Sequence, residues 1–253
     1  MKKSYLLIVL FLGWVQSYAV QVLFGPEVGV TYNKFEATDE QKSFIDPVGE
    51  EPVGIGFSSG LQIKWLMKGV IDVTLGVEVQ KWEQVSSEKS LAFGQGLDPY
   101  QEYNLASKIQ LWTITVPIKS HLYYNYENHR IWAGIGYSLG VPRYFNNTWL
   151  IDGEEYDIET ILNSQNIYKN AESNVVQYVS FFSADIGYSF EIQEEFRMFT
   201  RLEYKTSLNS LVNSSSSSQY QWAPVKGEIH LESLTLSIGG LVEFGADYKG
   251  LVQ

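Results

Sequence analysis

The sequence predicts an all-β protein, an eight-stranded antiparallel up-and-down transmembrane β-barrel with long extracellular loops and short periplasmic turns. Three observations carry this reading. Eight segments alternate apolar and polar residues, the connectors between them alternate long and short, and a secretory signal precedes them. In an extended strand successive side chains point to opposite faces, so each alternating segment is a strand with one apolar face. An even strand count returns both termini to the periplasmic side.

The signal comes first. Lys2 and Lys3 form a charged start, and Leu6 to Val15 form an apolar core too short to span a bilayer. Ser17-Tyr18-Ala19 supplies small residues at the cleavage positions. The expected organisation is a signal peptide over 1–19, a barrel domain over 20–244 and a C-terminal periplasmic tail over 245–253. Removing Lys2 and Lys3 takes the net charge from −11 to −13, a balance that argues against nucleic acid, whose backbone demands Lys and Arg. The chain has no cysteine, hence no disulfide, no thiolate nucleophile and no acylated N-terminal Cys.

The strands follow in order. The first, near Phe24–Tyr32, sets Phe24, Pro26, Val28, Val30 and Tyr32 against Gly25, Glu27, Gly29 and Thr31. The second sets Val53, Ile55, Phe57, Leu61, Ile63 and Trp65 against Gly54, Gly56, Ser58, Gly60, Gln62 and Lys64. The third sets Ile71, Val73, Leu75, Val77 and Val79 against Asp72, Thr74, Gly76, Glu78 and Gln80. Trp82 breaks the parity of that strand. The fourth sets Trp112, Ile114, Val116, Ile118 and Leu122 against Thr113, Thr115, Pro117, Lys119 and His121.

The fifth sets Ile131, Ala133, Ile135, Tyr137 and Leu139 against Gly134, Gly136, Ser138 and Gly140. The sixth sets Tyr178, Phe182, Ala184, Ile186, Tyr188 and Phe190 against Ser183, Asp185, Gly187 and Ser189. The seventh sets Met198, Leu202, Tyr204 and Leu208 against Arg197, Arg201, Glu203 and Lys205. The eighth sets Leu234, Leu236, Ile238, Val242 and Phe244 against Ser233, Thr235, Ser237, Gly239 and Glu243.

Alternation alone does not say which face is outside, because a soluble barrel would put the apolar face inward. Three features place it outward. The polar face is rich in glycine, which gives a solvated surface nothing but relieves crowding inside a narrow barrel. Aromatics on the apolar face gather at strand ends: Phe24, Trp65, Tyr124, Phe190, Phe196 and Phe244 at one, Tyr32, Trp112, Tyr137, Tyr178 and Tyr204 toward the other. Two such girdles suit bilayer interfaces. The links at 66–69, 125–129 and 192–195 are tight, whereas 36–51, 83–104, 142–174 and 209–228 are long. Closure follows because lipid offers no partner to an unpaired backbone group.

The inward face then holds Glu27, Lys64, Asp72, Glu78, Lys119, His121, Asp185, Arg197, Arg201, Glu203 and Lys205. Eight strands leave room for packed side chains and little else, so these are expected to pair as a lumen network rather than line an ion path. The histidines are His121, His129 and His230. Ser120 and His121 are sequence neighbours on opposite faces and form no nucleophile–base pair, which argues against a lipid-modifying enzyme. No catalytic, cofactor or metal residue is assigned.

The long links are acidic, with net charges of −5 over 36–51, −3 over 83–104 and −4 over 142–174. The run Asp152 to Glu159 has carboxylates but not the spacing of a calcium loop, and reads as a solvated loop. Asp157 to Gln165 suits a short helix, and the serines at 214–218 suit a loop tip. Loops on a rigid scaffold are where such barrels meet partners. The expected partners are outer-membrane lipid and glycolipid and a protein at the extracellular loops, with the barrel itself a monomer.

The chain resembles the PorT-like outer-membrane β-barrel family of Gram-negative bacteria. The resemblance rests on FGPEVGVTYNKF at 24–35, GFSSGLQIKW at 56–65, LWTITVPIKSHLYY at 111–124, GIGYSLGV at 134–141, ADIGYSFEI at 184–192 and LSIGGLVEF at 236–244. It implies an integral outer-membrane location and, for some members, an accessory role in protein secretion. The last strand also looks like the sorting signal read by the barrel-assembly machinery, through Gly239, Val242 and Phe244 after Ser237. Such signals mostly end on the aromatic, whereas here residues 245–253 follow.

Overall fold

The computed structural model describes residues 19–37, 54–67, 70–91, 102–151, 154–156, 176–211 and 229–244. The first eighteen residues, the region predicted as a helix, the serine run and the tail lie outside them. The strands are β1 (Ala19–Ala37), β2 (Gly54–Met67), β3 (Ile71–Leu91), β4 (Glu102–Tyr126), β5 (His129–Ile151), β6 (Glu154–Tyr156), β7 (Val179–Gln193), β8 (Phe196–Ser207) and β9 (Ile229–Phe244). Eight form one closed antiparallel barrel in chain order. β4 pairs with β5, β5 with β7, and β9 returns to β1. The short β6 folds back on the end of β5, pairing Trp149 with Tyr156.

Every predicted strand is present with its predicted parity among the described residues; Val53 of the second lies outside them. Phe24, Val28, Ile55, Leu122, Ile135, Ile186, Leu202 and Leu236 point outward, while Glu27, Lys64, Asp72 and Lys205 are buried inside. Ile55 is 72% exposed, Leu122 63% and Leu236 58%, and apolar side chains like these surround the whole barrel. Water contact would cost about 25 cal/mol for each Å² of this belt, so the belt faces lipid and the strands span a membrane. The outward rings Phe24, Tyr124, Phe190 and Phe244 lie near the end with the tight turns, and Tyr32, Tyr178 and Tyr204 lie farther along their strands.

The structure differs from expectation in the connectors. Much of 83–104 and 142–174 is strand. β3 and β4 stay paired from Glu83 with Gln110 out to Leu91 with Glu102, and β4 pairs with β5 out to Leu105 with Ile151. Lipid imposes apolar–polar alternation, and beyond the belt that demand ends while backbone pairing continues. The alternation marks only the membrane-embedded part of these ladders. Their outward face turns polar at Lys81, where Glu83 meets Lys81, Lys108 (3.8 Å) and Gln110 (2.9 Å).

Among the described residues, two connections are two-residue turns. Glu127 and Asn128 join β4 to β5, and Glu194 and Glu195 join β7 to β8. Glu127 (φ 53°) and Glu195 (φ 77°) adopt the left-handed region that a tight hairpin requires.

Candidate functional site

The candidate site is the lumen, which is built in three layers. The middle layer is charged. Arg201 on β8 lies 2.8 Å from Glu27 on β1 and 3.0 Å from Glu203. Lys119 on β4 reaches Glu203 at 2.6 Å. Lys205 reaches Glu78 on β3 at 2.9 Å and Gln80 at 3.1 Å. Lys64 on β2 lies 3.3 Å from Asp72. Arg201–Glu27, Lys119–Glu203 and Lys205–Glu78 join strands that are not neighbours in the sheet, whereas Lys64–Asp72 ties the adjacent β2 and β3.

His121 completes the layer. Its Nδ1 lies 2.5 Å from Asp72 Oδ1, and its Nε2 lies 3.1 Å from Asp185 Oδ2. The ring therefore bridges two carboxylates on different strands, Asp72 on β3 and Asp185 on β7. Each of Glu27, Asp72, Glu78, Asp185 and Glu203 thus has Lys64, Lys119, Arg201, Lys205 or His121 within reach. Pairing of this kind is what a low-dielectric interior requires, because an unpaired buried charge there costs several kcal/mol. Asp185 accepts a second bond, from Trp132 Nε1 at 3.1 Å.

Apolar plugs close the charged layer at both ends. At the tight-turn end Leu23, Leu66, Tyr123, Trp132, Phe199 and Leu241 pack together inside the barrel. Trp132 bridges plug and network: it meets Phe199 edge-on at 6.1 Å, and Lys64 Nζ sits 4.3 Å from its ring centroid. At the other end the plug includes Phe35, Trp82, Leu111, Phe181 and Leu231. Trp82 and Phe181 stack at 5.8 Å, and Trp82 Nε1 donates to Thr113 at 2.9 Å.

The inward glycines have specific occupants. A Cβ on Gly134 would stand 2.1 Å from the His121 ring, and one on Gly187 would stand 2.1 Å from the Trp132 ring. One on Gly239 would meet Phe199 at 2.4 Å. Each glycine faces a large ring on the neighbouring strand, which lets eight strands enclose rings and ion pairs together.

Of the residues singled out in the sequence, Glu27, Lys64, Asp72, Glu78, Lys119, His121, Asp185, Arg201, Glu203 and Lys205 are brought together. Arg197 is not. It lies at the tight-turn mouth and pairs with Glu191 at 2.9 Å. Gly239 faces the lumen, and Val242 and Phe244 face outward. Sequence reasoning missed both plugs. Their signal is apolar residues on the polar parity near strand ends, such as Leu23, Leu66, Trp132 and Phe199, together with the parity break at Trp82.

Ser120 is exposed on the outside and His121 is buried inside. A different serine and histidine do approach each other. Ser207 Oγ lies 3.4 Å from His230 Nδ1, but it also accepts the Leu231 N–H at 2.9 Å and is buried. Among the described residues no group of three or more His, Cys, Asp or Glu side chains is placed to hold a metal ion.

No family model matches the chain. No curated protein matches it either. It is similar to solved structures at low identity. Neisserial surface protein A is 12% identical, with 87% of this chain and 97% of that one covered and a TM-score of 0.42. Ail, the attachment invasion locus protein of Yersinia pestis, is 10% identical, with 89% and 100% covered and a TM-score of 0.33. The outer membrane protease OmpT of Escherichia coli is 7% identical, with 89% and 97% covered and a TM-score of 0.40.

Proposed function

We propose that this protein is a non-enzymatic integral outer-membrane barrel that acts as a surface interaction and structural module. The observation that carries the reading is the filled lumen: an ion-paired layer between two apolar clusters leaves the interior to stability rather than to transport. The projecting β3–β4–β5 ladder supplies the surface, since it continues past the apolar belt and carries β6 at its margin. An outer membrane is the site that suits a lipid-facing barrel preceded by a secretory signal. Both termini then lie in the periplasm, Gly239, Val242 and Phe244 serve the assembly machinery, and the barrel works as a monomer among outer-membrane lipid and glycolipid.

The test is a photoreactive residue at Tyr156, on the strand that caps the projecting ladder, followed by crosslinking in living cells. One abundant protein adduct is the expected result. Adducts with no protein at all overturn the interaction role.

The PorT-like resemblance favours a narrower reading, in which that partner belongs to a protein-secretion machine. A deletion strain that secretes normally contradicts it.

A further inference from the structure

We infer that the outer wall carries a seat for a single lipid acyl chain at the seam where the first and last strands close the barrel. The inference rests on the membrane-spanning reading. Along this seam β1 and β9 pair from Val22 with Phe244 to Phe24 with Val242, and resume at Glu27 with Gly239. Gly25 and Pro26 have no ladder partner on β9. Pro26 has no N–H to give. The Gly240 carbonyl instead occupies the space under Gly25, 1.7 Å from where a Cβ on that glycine would stand. That position is on the lumen side of β1, so the carbonyl leans away from lipid, where an unpaired acceptor would cost several kcal/mol.

The same arrangement dents the outside. Gly240 lies on the outward face between Ile238 and Val242, opposite Met198 on β8. The rows on either side are filled: Val28 and Ile238 form one, and Phe24, Val242 and Phe196 form the other. Between them lies a groove of about 230 Å³, with Pro26, Met198 and Gly240 along it and Phe196 at one wall.

The occupant follows from size and surroundings. Eight residues line the groove. A stable protein interface takes about 20–30 residues a side, so neither a second copy nor a partner barrel is held by it. At about 30 Å³ for a water-sized group, the groove takes a run of methylenes. In a bilayer the competing environment is also hydrocarbon, so the seat works through packing and not through exclusion of water. A flexible chain fills a narrow dent that a rigid ring system does not.

The test reconstitutes the full barrel in phosphatidylcholine vesicles that carry a mid-chain diazirine phosphatidylcholine. Irradiation is followed by digestion and mapping of the adducts. Adducts are expected to be several-fold enriched at Phe196, Met198 and Ile238 over Ile118, Ile135 and Ile186 on the other wall. Gly240→Val fills the dent and should abolish the enrichment; its Cβ would stand 3.0 Å from the Phe196 ring and 4.0 Å from the Arg197 carbonyl oxygen. Even labelling of the unmodified barrel, or enrichment that survives Gly240→Val, overturns the seat. Links between two barrels at these residues overturn it in favour of a protein contact. Absence of lipid adducts anywhere contradicts the membrane-spanning reading itself. The unmodified map decides the matter if the variant does not fold.

Discussion

Lys205 on β8 holds Glu78 on β3 across the lumen, with Nζ 2.9 Å from Oε1 and 3.0 Å from Oε2, although 127 residues separate them in the chain. Neither strand neighbours the other in the sheet. The contact therefore braces the barrel through its interior, and both side chains are almost wholly buried.

Breaking this brace from one side should be costly. Lys205→Met leaves Glu78 a buried carboxylate without its cation, and a loss of about 3–5 kcal/mol is expected. Pairing it with Glu78→Leu removes the stranded charge and should recover most of that loss. Urea unfolding in lipid vesicles measures both. Equal loss in the single and double variants would mean that packing, not charge, sets the cost.

Glycine placement gives a second prediction. Gly187→Ala drives a methyl into the Trp132 ring and should cost about 1–3 kcal/mol by overpacking. Trp132→Leu in the same chain makes room, so the two changes should be strongly non-additive in an unfolding cycle. Simple additivity would show that the ring does not depend on that glycine.

The plugs are predicted to act in series. Trp82→Ala should destabilise the barrel by about 3–5 kcal/mol, because it removes the largest ring of one plug. It should leave the protein non-conducting, since the charged layer and the plug around Trp132 still close the interior. Unfolding and bilayer recordings on the same variant check both halves.

The turns offer a gain. Glu127 and Glu195 sit at positive φ, where a side chain costs roughly 1–2 kcal/mol relative to glycine's freedom. Glu127→Gly and Glu195→Gly should each raise the urea midpoint by a corresponding amount. A lowered midpoint in either would show that the carboxylate has a role at that turn.

Parity made most of the barrel legible. Lipid outside and a narrow lumen inside force opposite chemistry on alternate residues, so Val28 against Glu27 or Ile118 against Lys119 fixed direction as well as strand. The ion pairs were legible as a set but not as partners, because pairing depends on which strands face across the lumen. Nothing local links Lys205 to Glu78. The plugs escaped because Leu23, Leu66 and Phe199 look like lapses in alternation when each strand is read alone. Only stacking the strands brings those lapses to one level. The outer ladders escaped because alternation fades where lipid ends.

The central claim is that the lumen is filled and closed, and single-channel recording of the unmodified, refolded barrel in a planar bilayer tests it most directly. The expected result is a membrane that stays electrically silent after insertion is confirmed by heat-modifiable gel mobility. Stable, stepwise conductance from the folded barrel would contradict it.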